Sequence, residues 1–138
     1  AILNKLRAHP DRARAIRALV AAAGDPEVPF GLRLGNWFVS GRFDKLLRCD
    51  PGWEVIDWKT DADQDVDAIV ARHTPQMRLY GLALWRANLA HLVKGSVRVH
   101  LALLGPLAVH TLSFTTDELE VFARELEEEL RAMMASGA

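Results

Sequence analysis

Apolar and polar positions alternate along this chain in two rhythms, and the changes of rhythm mark out its elements. Residues 2–23 follow the helical period. Ile16, Leu19 and Val20 form an apolar stripe, His9-Pro10 is a break, and Asp11 is placed to cap the second part. Gly24-Asp25-Pro26 stops that helix. From Val28 the period falls to two. This predicts a strand over 28–34, a tight turn at Gly35-Asn36, and further strands over 37–49 and 53–60. Residues 61–67 read as a mobile polar loop carrying Asp61, Asp63, Asp65 and Asp67. The acids alternate as in a calcium loop, but the glycine and closing glutamate of an EF-hand are missing.

Pro75 is placed to open a helix that runs to about residue 92. Met77, Leu79, Tyr80, Leu82, Ala83, Leu84 and Trp85 make it apolar nearly all round, so it is buried on more than one side. Lys94-Gly95-Ser96 ends it. Val97, Val99, Leu101 and Leu103 then alternate with Arg98 and His100 in a fourth strand. Gly105-Pro106 turns the chain into a fifth, over 108–114. Thr115 and Glu118 form a capping box for a last helix. Leu119, Phe122, Leu126, Leu130 and Met133 lie along one face of it, with Glu127-Glu128-Glu129 in solvent. The predicted fold class is α/β: a mixed five-stranded sheet flanked by helices. The central helix serves as the crossover that returns strand four to the sheet.

A length of 138 residues predicts one domain over 1–138 with an ordinary core. The chain opens at Ala1, which is expected of a fragment cut from a longer protein. There is no apolar run long enough to span a membrane and no secretory signal, so a cytoplasmic location is expected. The net charge of −1 excludes a whole-surface electrostatic grip on nucleic acid, and any DNA contact must be local or made by attached domains. Lys5, Arg7, Arg12, Arg14 and Arg17 read as a solvated helix face in preference to a phosphate-binding edge. Cys49 is the only cysteine. That excludes internal disulfides and cysteine-based zinc or iron–sulfur sites. His9, His73, His91, His100 and His110 show no paired metal-ligand spacing and read as structural or exposed.

Candidate chemistry concentrates in the hairpin of strands two and three. Asp57 and Lys59 share a strand face with Val55. Asp44 meets Asp57 if the antiparallel register has a sum of 101. That register also pairs Leu46 with Val55 and Arg48 with Trp53, and it leaves Cys49-Asp50-Pro51-Gly52 as a four-residue loop. A slip of one residue would throw one acid to the other face. Two adjacent carboxylates repel, and a hard divalent cation relieves that repulsion. Alternating Asp and Lys are often only a solvated face. Here Phe43, Leu46, Val55, Ile56 and Trp58 flank the charges, which implies partial burial.

These residues resemble a known family. Glu27-Val28-Pro29-Phe30, Val39 to Asp44, Trp53 to Asp61, and Gln76-Met77-Arg78-Leu79-Tyr80 are similar to the RecB/AddA-type nuclease domain of the PD-(D/E)XK superfamily. The resemblance implies a restriction-endonuclease-like core and an exodeoxyribonuclease V-like, Mg²⁺-dependent (or Mn²⁺-dependent) hydrolysis of DNA. It implies metal ligation by Asp44, Asp57, the backbone carbonyl of Trp58, and Glu27 directly or through water. Lys59 is the implied catalytic lysine, with Gln76 and Tyr80 supporting the site or contacting DNA. It further implies attachment to a UvrD-like helicase subunit in double-strand-break repair, possible partnership with a second subunit, and no membrane. One departure stands out: relatives carry a metal-binding His upstream of Glu27, and the setting of His9 does not match it. That His is expected before Ala1, so this piece by itself is expected to bind metal weakly or be inactive. Two other readings remain open: a degenerate nuclease fold that serves DNA binding or subunit contacts, and a stand-alone RecB-like exonuclease.

Overall fold

Helix α1 runs over Pro10–Ala21, strands β1, β2 and β3 over Gly24–Leu34, Trp37–Arg48 and Trp53–Lys59, and helix α2 over Val66–Arg86. Strands β4, β5 and β6 follow at Leu92–Val93, Ser96–Leu103 and Ala108–Thr115, and helix α3 closes the order at Thr116–Gly137. This is a computed structural model, and it describes residues 7–137. The first part of the predicted N-terminal helix, with Lys5, lies outside the described residues.

The α/β expectation holds, and the sheet gains a sixth strand. β1, β2 and β3 form an antiparallel meander, and β5 returns parallel to β3 through α2. Ser96 and Val97 each pair with both β4 and β6, so those two strands flank β5 on opposite sides. The predicted central helix was too long at its end: it stops at Arg86, and Leu92 belongs to β4. Two residues of strand are too short to show a period in sequence.

Three further boundaries differ. β1 begins at Gly24, four residues before the expected start, because Gly24, Asp25 and Pro26 already pair with Leu47, Leu46 and Lys45. α2 begins at Val66, and Pro75 lies in its interior. Asp65 caps it by accepting from the Ala68 amide at 3.2 Å, and Ile69 is fully buried in its first turns. Cap and burial together outweigh the cost of an internal proline. The acids of the preceding loop are held: Asp61 binds Arg72 and His73, and Asp63 pairs with Arg72 and accepts from the Asp65 amide. That segment is tied to α2, against the expected mobility.

At α1, Pro10 fills the first turn and His9 is the cap, so Asp11 is not. Ala13 and Ile16 carry the buried stripe while Val20 is exposed. Arg7, Arg12, Arg14 and Arg17 are all exposed, as a solvated face requires. Thr115 caps α3 through the Glu118 amide, and Leu119 and Ala123 anchor it, but Met133, expected on the apolar face, is exposed.

The main core lies between the sheet and the pair α2 and α3, and includes Leu32, Phe43, Leu46, Val55, Tyr80, Leu84, Val99, Leu101 and Phe114. α1 closes the other face. Its C-terminal carbonyls are gathered by Lys45, a side chain only 9% exposed. The Lys45 ammonium donates to Leu19, Val20 and Ala22 carbonyls at 3.0, 3.0 and 2.6 Å. A cation there satisfies orphan carbonyls and opposes the helix dipole. Lys45→Met keeps the stem and removes the charge. We expect it to lower stability by about 2 kcal/mol in urea unfolding, the size typical of charged hydrogen bonds; an unchanged midpoint would show that α1 docks without it.

Candidate functional site

β2 changes phase at Asp44. Phe43 and Leu46 both join the core, although three residues of regular strand would put them on opposite faces. Lys45, next to Leu46, points to α1 instead. β1 breaks with it: Pro26 pairs with Lys45 and Val28 with Phe43, and Glu27, between them, has φ of 51°. The Asp44 carboxylate is thus freed from the pleat, and its Oδ2 accepts from the Trp58 amide at 2.8 Å.

The register of β2 with β3 has the sum of 101 that a meeting of Asp44 and Asp57 requires: Lys45 pairs with Ile56, Leu46 with Val55 and Arg48 with Trp53. The Cys49–Gly52 loop closes through a Cys49 amide to Gly52 carbonyl bond of 2.9 Å, and its Asp50–Pro51 peptide is cis. One step beyond Lys45 and Ile56, Asp44 stands across from Asp57. Regular pairing stops there, because the Asp44 side chain has taken the Trp58 amide.

Trp58 is placed by the same logic. The Lys59 carbonyl accepts from Leu104, so Val55, Asp57 and Lys59 turn their main-chain groups toward β5. Ile56 and Trp58 turn theirs toward β2. The Trp58 carbonyl therefore faces the gap where the ladder has ended, on the side of Asp44.

Asp57 is 2% exposed. Its Oδ2 lies 3.1 Å from the Lys59 ammonium, yet is buried without a well-formed hydrogen bond. Burial raises the Asp57 carboxyl to about 6; Lys59 pulls it down, and the Asp44 carboxylate beside it pushes it up. Lys59 has a second anchor, donating to Gln76 Oε1 at 2.7 Å. The Gln76 amide in turn donates to the Tyr80 hydroxyl at 2.9 Å. Tyr80 is pushed up to about 12 by burial and by the charges of Asp57 and Asp44. Its ring packs edge-on against Phe30 and Phe43, at 5.8 and 5.7 Å.

Of the sequence-predicted residues, Asp44, Asp57, Lys59, Gln76 and Tyr80 form one connected group, with the Trp58 carbonyl facing it. Glu27, on β1 between the partners of Lys45 and Phe43, lies beside Asp44 in the register and is exposed. The donors at the acid pair are all oxygens. That set, with a buried carboxylate oxygen lacking a hydrogen bond, fits a hard divalent cation such as Mg²⁺.

Sequence reasoning missed two neighbouring groups. Asp61 is pinned by His73 at 3.1 Å and by Arg72, and the His73 bond chiefly holds its carboxyl below the usual range. On the opposite face of β3, Glu54 is buried and bound to His100 at 2.7 Å. The only sequence signal for the second was a polar residue on each of two apolar strands.

A family model described as the PD-(D/E)XK nuclease superfamily matches residues 2–137. No curated protein matches the chain. Among solved structures, one titled "Crystal structure of SSO0001" is similar in fold, with a TM-score of 0.50 and 17% sequence identity. The similarity covers 87% of this chain and 55% of that one, so this chain spans little more than half of that protein's length.

Proposed function

The chain belongs to the PD-(D/E)XK nuclease superfamily, and we propose that it is a Mg²⁺-dependent deoxyribonuclease domain that hydrolyses phosphodiester bonds in DNA. The observation that carries this is the buried Asp57 carboxylate beside Asp44, with its Oδ2 3.1 Å from a lysine that Gln76 also holds. A degenerate fold has no reason to keep a charge so disfavoured. Asp44, Asp57 and the Trp58 carbonyl would hold the metal, with Glu27 reaching it through water. When bound, the metal offsets the repulsion between the acids, acidifies a water and neutralises charge on the phosphate.

The remaining work falls to the side chains. Asp44 fixes the bend of β2 by holding the Trp58 amide. Lys59, kept extended by Gln76 and Asp57, donates to a non-bridging phosphate oxygen or orients the attacking water. Gln76 is a positioning residue, and Tyr80 fixes which way its amide points. Neither gains or loses a proton at neutral pH.

We place this domain in a larger helicase–nuclease of double-strand-break repair, in the cytoplasm, as its RecB/AddA-like motifs suggest. The motor would lie elsewhere in the polypeptide or its complex. The full reading frame tests that attachment.

The direct test is end-labelled linear DNA incubated with the natural full-length protein and Mg²⁺. Expected are shortened products that vanish with chelator and return with Mg²⁺ or Mn²⁺. DNA retained in a gel shift but never cut, at any divalent concentration, would favour the degenerate, DNA-binding reading.

A further inference from the structure

A second cluster of ligand-type side chains lies on the other face of β3. Cys49 Sγ, Glu54 and His91 each place one donor atom within 4.8 Å of the other two. Glu54 and Asp57 are three residues apart on one strand, so the cluster is roughly 10 Å from the carboxylate pair and on the opposite face.

The cluster is assembled by tertiary structure. Gly52, at φ of 83°, lets the β2–β3 loop press against the segment after α2; a Cβ there would sit 2.8 Å from the His91 amide nitrogen. The Trp53 amide donates to the Leu89 carbonyl and the His91 amide to the Trp53 carbonyl, both at 2.9 Å. These bonds hold His91 beside Cys49.

Two features point to a ligand. His91 Nδ1 lies 2.7 Å from the Pro51 carbonyl, which can only accept, so Nδ1 carries the proton. In neutral imidazole the lone pair is then on Nε2, which faces Glu54 Oε2 at 4.0 Å. That is too long for a hydrogen bond, and the separation is one an ion between them would bridge. A metal-binding histidine is typically oriented in this way, by a backbone carbonyl on its other nitrogen. Glu54 is fixed similarly. His100 Nε2 holds its Oε1 at 2.7 Å, Thr111 binds His100 Nδ1 at 2.9 Å, and Oε2 lies between His91 Nε2 at 4.0 Å and Arg98 Nε at 3.4 Å.

We propose that Cys49, Glu54 and His91 bind a divalent cation of the zinc class, a site separate from the carboxylate pair. Thiolate and imidazole ligands select Zn²⁺ or Co²⁺ over Mg²⁺, and three protein ligands leave one position for water. Binding removes the thiol proton to solvent. Arg98, whose Nε lies 3.4 Å from Glu54 Oε2, offsets part of the negative charge. The thiolate and the carboxylate together outweigh it. The bound ion would join the hairpin loop to the segment after α2 and brace the far end of β3. The sequence expectation is that one cysteine excludes such a site; the proposed ligands come from residues 49, 54 and 91, with no motif spacing.

The test uses Co²⁺ as a probe on the metal-free chain carrying Asp44→Asn and Asp57→Asn, which silences the carboxylate site. Expected is uptake of one equivalent, with a near-ultraviolet thiolate-to-cobalt absorption band. Zn²⁺ should displace the band and Mg²⁺ should not. Cys49→Ser is expected to abolish the band, and His91→Gln to weaken binding about a hundredfold, taking the larger end of metal-site effects. Both variants are checked by far-UV circular dichroism. A band that survives Cys49→Ser, or no uptake in the double-Asn chain, overturns the proposal.

Discussion

Asp57→Asn is expected to move cleavage and stability in opposite directions. Cleavage of linear DNA in Mg²⁺ should fall by at least about 10²- to 10³-fold, the scale for losing one preorganised electrostatic group at the reacting centre. The metal-free chain should at the same time become more stable at neutral pH. The wild-type carboxyl sits 2% exposed beside a second acid, and burial is the main reason its value rises to about 6. An amide of the same shape carries no charge to desolvate and can donate to Asp44.

The sign with pH follows. A carboxyl raised in the folded state from 3.8 to about 6 favours the fold while protonated. Its contribution is complete below about pH 4 and is lost as pH rises through about 6. The difference in urea midpoint between Asp57→Asn and wild type, both in chelator, should therefore grow between those limits and level off above. Adding Mg²⁺ should narrow it, because only the wild type gains from the ion. Equal midpoints at every pH would show that Asp57 is not strained, and unchanged cleavage would remove it from the site.

The hairpin register was legible only as a condition. A sum of 101 is what a meeting of Asp44 and Asp57 requires, Pro51-Gly52 allows it without forcing it, and Lys45 pairs with Ile56 at that sum. Counting could not show that Phe43 faces the core together with Leu46. A regular pleat would put Phe43 on the face opposite Asp44 and Leu46. The strand instead changes phase at Asp44 while β1 breaks at Glu27, and neither residue type announces that in sequence. α2 was misread for a related reason. Pro75 is a strong local start signal, but the cap at Asp65 and the buried Ile69 are tertiary facts that override it. Gln76 and Tyr80 entered through family resemblance alone. The structure gives them a physical tie, because Gln76 bonds both the Lys59 ammonium and the Tyr80 hydroxyl.

That tie sets the second large effect. Lys59→Met should reduce cleavage by about 10²- to 10³-fold, mostly in kcat, because the lost donor acts where charge builds during the reaction. Gln76→Leu leaves the ammonium in place but removes its 2.7 Å anchor, so Lys59 leans on Asp57 alone. A loss of about 10- to 100-fold is expected, as for other residues that position a catalytic group. The double variant is the decisive measurement. If Gln76 acts through Lys59, its removal costs little once Lys59 is gone, and the double variant cleaves at nearly the Lys59→Met rate. Multiplied losses would mean that Gln76 meets DNA independently, and the chain Lys59–Gln76–Tyr80 would then be only a packing arrangement. Tyr80→Phe separates these outcomes further. It keeps the ring against Phe30 and Phe43 and deletes only the hydroxyl that fixes the Gln76 amide. Its loss should be smaller than that of Gln76→Leu and should likewise disappear in the Lys59→Met background.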